Sequence, residues 1–415
     1  MTSTPTLFGL PRLFWVEWVT SFVGSAGRFV IPFMSSYLTI EQGLSPAAAG
    51  VIVSFYGVGG IASALFGAFL SDRFGRVPVI VTGYLLSAGA LVSVPFLQTP
   101  FWLAASLLLF GITSNVALPA LAALIADIVP PKSQARAYML HTWGLNLGFI
   151  VGPLLAAAIL AHGFAPMFWI EAATLVSVAA VLGFTIGPAV KRSKHAGLSS
   201  GPVRAVEAYK QVATDWLFLG LVGLVLIYTS VYFQSTSSLP VAMHQQGLPP
   251  QTFALLLSMN GVLLCLLQVP MIRVLEKLPK AVTLGVALVV TALGFAVLAN
   301  AHTEWQYAIA TAIWSIGELG TFPIAAALAS SLAPARLRGT YQGFYNLTWS
   351  GGLALAPVAG GFVLSATNAT TLWWLCTGAL VLGGLGFLVG RSRFRRREET
   401  SDVATDAGRV SATAP

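Results

Sequence analysis

Gly67-Ala-Phe-Leu-Ser-Asp72-Arg73-Phe74-Gly75-Arg76 sets three charges and a turn-forming glycine between two long apolar runs. Only 9% of the chain is charged, 56% is hydrophobic, and mean hydropathy is +0.81. An ordinary globular domain carries about 25% charge, so this composition excludes one. The run before the charged stretch covers residues 47–70 and the run after it 78–97. Each has about 20 residues, enough to cross ~30 Å of hydrocarbon. Extending outward gives twelve such runs, from 14–39 to 371–390. None alternates as a membrane barrel strand would, and lipid requires backbone groups to be satisfied within each segment. The expected fold class is therefore all-α integral membrane, with twelve transmembrane helices.

Charge placement sets the expected orientation. All 22 Lys and Arg residues except Arg28 fall at the termini or in gaps that follow even-numbered runs. These gaps hold Arg73 and Arg76, Lys132 and Arg136, Lys191 to Lys210, Arg273 to Lys280, and Arg336 with Arg338. The positive-inside rule then puts both termini in the cytoplasm of a cell-membrane protein. The net charge of +8 is thus a topology signal, and no nucleic-acid partner is implied. Cys265 and Cys376 lie inside runs and are expected as free thiols. The first run is too long for a cleavable leader and lacks a basic preface.

The chain aligns with itself at an offset of 204 residues. Glu41–Pro46 falls on Gln245–Pro250, and Pro119, Pro130 and Pro153 fall on Pro323, Pro334 and Pro357. The charged stretch has a weaker echo at Glu276–Lys280. The expected organisation is an N-terminal six-helix half at 1–188, a linker at 189–215, a C-terminal six-helix half at 216–390, and a disordered tail at 391–415. An even number of spans per half gives two pseudo-symmetric halves in the same orientation, an arrangement suited to alternating access with substrate held between them.

The loop at 67–76 resembles the Gly-x-x-x-Asp-Arg-x-Gly-Arg signature of the major facilitator superfamily, with one extra residue before Asp72. Span 5 carries Gly144, Gly148, Gly152 and Pro153, which resembles the Gly-x-x-x-Gly-Pro element of bacterial multidrug:proton antiporters within it. Those glycines share one helix face, allowing a neighbouring helix close approach, and Pro153 would kink the helix. The resemblance implies a major facilitator fold and a cytoplasmic gate built from Asp72, Arg73, Gly75, Arg76 and Asp127. In that gate Arg76 could pair with Asp127, and Gly75 permits a turn that a side chain would hinder. Span 4 lacks the arginine often found there in such antiporters; Arg28 could substitute for it.

Two charges fall inside the membrane. Arg28 and Glu318 each lie about 20 Å along a helix from the start of their spans, near the bilayer centre, where charge is costly and usually functional. The resemblance places spans 1, 4, 7 and 10 around a central cavity. The candidate proton-coupling and substrate residues are thus Glu318, Arg28, Asn115, Tyr228, Tyr232, Trp314, Phe322 and His141, with Glu318 the proposed proton carrier. A permanent Arg28–Glu318 ion pair is the structural alternative. Glu17 and Glu171 are expected to snorkel at opposite faces.

These features point to a secondary active transporter, a proton-coupled exporter of small amphipathic or drug-like molecules. The alternative is a carrier for a sugar or other metabolite, importers included. An enzyme or receptor is disfavoured: the sequence has no metal-ligand spacing, phosphate loop or nucleophile elbow. No catalytic residue, metal or cofactor is expected. The expected partners are a small-molecule substrate, protons and the lipid bilayer, with the chain acting as a monomer.

Overall fold

The computed structural model describes residues 6–7, 9–190, 202–275, 277–334 and 337–413. It is almost entirely helical; a two-residue pairing of Thr6–Leu7 with Leu10–Pro11 precedes the first helix. The helices are α1 (Arg12–Ala26), α2 (Val30–Ile40), α3 (Pro46–Phe74), α4 (Arg76–Ser93), α5 (Pro100–Asn115) and α6 (Ala117–Ile128). Next come α7 (Gln134–Leu160), α8 (Ala165–Val181), α9 (Gly187–Val190), α10 (Pro202–Ala213), α11 (Trp216–Tyr232), α12 (Gln234–Ser237) and α13 (Leu239–Gln245). The last five are α14 (Pro250–Leu275), α15 (Lys280–Leu298), α16 (Glu304–Leu332), α17 (Arg338–Ala366) and α18 (Ala369–Thr413).

Eleven segments among the described residues are long and apolar enough to cross a membrane. The twelfth expected span, the first, is broken at Gly27–Phe29 into α1 and α2, each too short alone. Counting that pair as one crossing recovers the twelve-helix expectation.

Local chemistry starts the helices. Ser45 accepts from the Ala48 N–H at the head of α3, with Pro46 in the first turn. Thr303 and Gln306 form a reciprocal capping box on α16. Asp215 caps α11 through the Phe218 N–H at 3.2 Å. Large apolar side chains such as Phe66, Phe69, Phe184 and Trp305 are exposed, as lipid contact requires.

The chain forms two contact units. The first comprises residues 1–197 with 234–262 and 353–366, so it gathers α12, α13, the first half of α14 and the last half of α17 from the second half of the sequence. Inside this unit, at the end remote from the basic loops, α3 meets α17 backbone to backbone. A Cβ on Gly50 would lie 2.0 Å from the Pro357 carbonyl oxygen, and one on Gly361 would lie 2.3 Å from that of Pro46. The Ala47 N–H donates to Ser365 Oγ at 2.9 Å, and Phe33 of α2 meets Phe253 of α14 edge to face at 5.2 Å.

The second unit comprises 198–233, 263–352 and 367–415. Here the charged segment after Arg391, expected to be disordered, continues α18 as helix. Its polar groups have partners: Glu398 accepts from Lys280 Nζ at 2.5 Å and Ser331 Oγ at 2.8 Å, and Arg397 pairs with Asp215 at 3.0 Å. Asp215 also accepts from the Tyr341 hydroxyl. Of the expected linker at 189–215, residues 191–201 lie outside the described residues, as does Glu276 of the second charged stretch; the rest includes α10.

The charged stretch at 67–76 is almost all helix. α3 runs to Phe74, α4 begins at Arg76, and the connection is Gly75 alone, with φ 89° and ψ 153°. That conformation belongs nearly exclusively to glycine, and any side chain there costs about 1–3 kcal/mol. Gly75→Ala is therefore expected to lower the thermal midpoint of the purified protein, measurable by tryptophan fluorescence; an unchanged midpoint would mean the turn relaxes freely.

Candidate functional site

The break in the first span centres on Arg28. Phe29 and Val30 open α2 in the middle of the helical layer, where their N–H groups have no intrahelical partner. Glu171 of α8 supplies one: its Oε2 accepts from the Phe29 N–H at 3.1 Å and the Val30 N–H at 2.8 Å. Glu171 is 2% exposed, so the expectation of an interfacial, snorkelling carboxylate is corrected. A carboxylate fits a helix N-terminus because the helix dipole and free N–H groups favour negative charge there.

Glu17 is also wholly buried, against expectation. Its Oε1 accepts from Ser21 Oγ at 2.7 Å and lies 3.0 Å from His141 Nδ1 on α7. Both acids lie inside the helical layer, Glu171 against the head of α2 and Glu17 beside His141, with Glu17 Oε2 buried and without a hydrogen-bond partner among the described residues.

A small solvent-open cleft of ≈ 100 Å³ lies beside these groups within the first unit. Its polar lining comes from Thr20, Ser21, Ser25, Arg28, Tyr84 and His141, and leucine and valine side chains form its apolar wall. Arg28 is densely surrounded by protein, yet its side chain is exposed because it opens onto this cleft. It hydrogen-bonds the Tyr84 hydroxyl. Beside the cleft α7 runs close along α1: a Cβ on Gly148 would lie 2.8 Å from the Ala26 nitrogen, and Gly144 and Gly152 face Trp18 and Ala26. Trp18 Nε1 donates to the Leu140 carbonyl and Ser25 Oγ to that of Leu145, tying the pair together. Pro153 lies within α7. Asn115 is not part of the lining; its amide donates to the Gly111 carbonyl of its own helix, next to the junction of α5 and α6.

A second group forms in the other unit, around Glu318 of α16, which is 5% exposed. The Tyr232 hydroxyl donates to its carboxylate, and Tyr228 lies close to it. Phe322, one turn further along, stacks on Trp349 at 4.1 Å and meets Tyr228 and Tyr232 edge to face at 5.2 and 5.1 Å. Tyr232 also meets Trp349 at 6.0 Å. The result is a carboxylate beside an aromatic cluster, a combination that attracts organic cations by charge and ring quadrupole together. Trp314 turns elsewhere, stacking on Phe295 at 5.6 Å and packing on Gly294 of α15.

At the end of the first unit carrying the basic loops, Arg76 pairs with Asp127 of α6 and donates to the Ala123 carbonyl. Arg73 lies over the exposed rings of Phe69 and Phe74, at 6.0 and 5.6 Å. The Asp72 side chain lies outside what the structure describes. Among the described residues, no group of three or more His, Cys, Asp or Glu side chains forms a metal site.

The role of Glu171 and the helix break escaped sequence reading because residues 14–39 are long and apolar enough to read as one unbroken span. The available signal was Gly27 beside Arg28, with Pro32 one turn on: a flexible residue, a charge and a helix breaker in one stretch.

Known proteins share both the sequence pattern and the fold. The multidrug resistance protein MdtH of Klebsiella pneumoniae (strain 342) is 27% identical over 367 residues, covering 87% of this chain and 88% of that one. A Na(+), Li(+), K(+)/H(+) antiporter of Planococcus maritimus is 24% identical over 367 residues, covering 81% and 86%. The crystal structure of the nucleoside transporter NupG superposes with a TM-score of 0.77 at 14% identity, covering 91% of this chain and 99% of that one. The sequence profile of the Major Facilitator Superfamily matches residues 18–249 and 235–413, nearly the whole length. The chain is a multi-pass membrane transporter and belongs to the Major Facilitator Superfamily.

Proposed function

We propose that this transporter exports small amphipathic, drug-like molecules across the cell membrane in exchange for protons, acting as a monomer with both termini in the cytoplasm. The observation that carries the reading is Glu318, a carboxyl buried at mid-helix, hydrogen-bonded to Tyr232 and flanked by the Tyr228, Phe322 and Trp349 rings. Such a group can hold either a proton or an organic cation, and mutually exclusive occupancy couples the two fluxes. The relatives named above support drug export and proton exchange as activity classes. Arg28, His141 and the cleft beside them supply polar contacts in the other unit. The Arg76–Asp127 pair, with Asp72, Arg73 and Gly75, serves as the cytoplasmic latch: it favours one state if it forms there and breaks in the other.

Inverted vesicles containing the protein test this directly. With a panel of lipophilic cations, substrate addition is expected to release protons from the wild-type vesicle interior. Glu318→Gln is expected to bring that substrate-driven proton flux down to the level of empty vesicles. Full flux by the variant would remove Glu318 from the coupling path.

A further inference from the structure

Arg28 differs from every other basic residue in the chain in lying inside a span rather than at a membrane face. It is exposed to a cleft, while an arginine with a purely structural role inside a membrane protein is normally paired and dry. Among the described residues, no carboxylate lies within ion-pairing distance of it; the ion pairs involve other groups. The two nearby acids are engaged elsewhere. Glu171 spends one oxygen on two backbone N–H groups of α2, and Glu17 is held by Ser21 and His141. No Asp or Glu lines the cleft.

The guanidinium carries five N–H donors, and its shown hydrogen bond goes to the Tyr84 hydroxyl. The cleft that Arg28 lines holds ≈ 100 Å³ and is open to solvent, so it admits a small polar group while the rest of a ligand extends outward. Thr20, Ser21 and Ser25 border the same space, and leucine and valine side chains make up much of the remaining lining. A fork of donors on a cation matches a planar or tetrahedral oxyanion, and the aliphatic wall matches an apolar body.

We infer that the cleft in the first unit is a binding site for the anionic group, a carboxylate, sulfonate or phosphate monoester, of a small amphipathic molecule, with Arg28 as its primary contact. The substrate range then includes acids and zwitterions as well as cations. Calling the ligand a transported substrate rests on the transporter reading above; the binding itself does not. Glu171 supports the site indirectly, because it occupies the N-terminus of α2 and leaves the guanidinium as the available anion contact.

The test uses the full-length protein in phosphatidylcholine nanodiscs and three probes of matched shape: 1-naphthalenesulfonate, 1-naphthyltrimethylammonium and 1-naphthol. Saturable binding is read by tryptophan quenching and by the thermal midpoint. The sulfonate is expected to bind and to stabilise the wild type. Arg28→Gln is expected to weaken sulfonate binding by about tenfold or more, the scale of one lost charge-assisted contact. Arg28→Lys should lose less, and Lys132→Gln, on an exposed loop, should lose nothing. If wild-type protein does not bind the sulfonate, or Arg28→Gln binds it unchanged, the inference is overturned. The wild-type result stands even if the Arg28→Gln variant fails to fold. Displacement of the sulfonate by stoichiometric phosphatidylglycerol would assign the site to a lipid headgroup and would also overturn it. The binding needs no gradient, so a failure of proton-coupled transport leaves it intact, and transport of cations alone leaves the proposed function intact while this inference falls.

Discussion

Joining Ala47 to Ser365 by a disulfide is expected to stop transport completely, and reduction is expected to restore it. The experiment replaces Cys265 and Cys376, which are free thiols, and introduces Ala47→Cys with Ser365→Cys. The Ala47 N–H to Ser365 Oγ distance is 2.9 Å, so bond lengths hold the two Cα atoms within about 6.8 Å, inside the range a disulfide spans. The bridge lies where α3 and α17 approach so closely that Gly50 and Gly361 leave no space for a Cβ. This end of the first unit is therefore shut by direct backbone contact, and Phe33 against Phe253 adds an apolar seal. A carrier working by alternating access must break those contacts once per cycle. A covalent bond costs far more to break than binding energy can supply. Either single cysteine variant should transport normally under oxidant. Full transport with the disulfide formed, verified by loss of thiol labelling, would mean that this end stays closed throughout the cycle.

The closure itself was not legible in the sequence, but much of the fold was. The apolar runs located the crossings, since only a helix satisfies its own backbone in lipid. Gly75 was expected as a turn that a side chain would hinder, and the structure leaves that residue alone between two helices. The spacing of Gly144, Gly148 and Gly152 indicated a face for close approach, and α1 fills it. Tyr228, Tyr232, Glu318 and Phe322 were named from their spacing in two spans that the family resemblance sets around a cavity, and the fold gathers them.

The remainder depended on contacts between distant segments. Glu17 and Glu171 look interfacial by their distance from span ends. Their burial is set by His141 and by the α2 N-terminus, more than 120 residues away along the chain. Trp314 shares a helix face with Glu318 by spacing, but Phe295 and Gly294 offer it a closer fit. Nothing in local composition distinguishes an aromatic that lines a cavity from one that fills a helix interface.

Glu171→Ala is expected to destabilise the protein strongly, with Glu171→Gln falling between it and the wild type. The carboxylate accepts two backbone N–H groups, at 3.1 and 2.8 Å, in a setting where water is scarce. Hydrogen bonds to a charged partner contribute about 1.5–3 kcal/mol each, so losing both removes about 3 kcal/mol or more. Opposing this, the buried carboxylate pays a desolvation cost that alanine does not. The balance still favours the acid, because alanine leaves two N–H groups orphaned at the head of α2 and takes away the negative charge nearest Arg28. Glutamine keeps an amide oxygen as acceptor but loses the charge, which separates the two contributions: Gln minus Ala reports the hydrogen bonds, and wild type minus Gln reports the charge. Thermal midpoints of the three proteins in one detergent supply both differences. Hydrogen exchange at Phe29 and Val30 should accelerate in the same order, since an uncapped helix start opens locally. Equal midpoints for all three would show that the break in the first span is held by something other than Glu171.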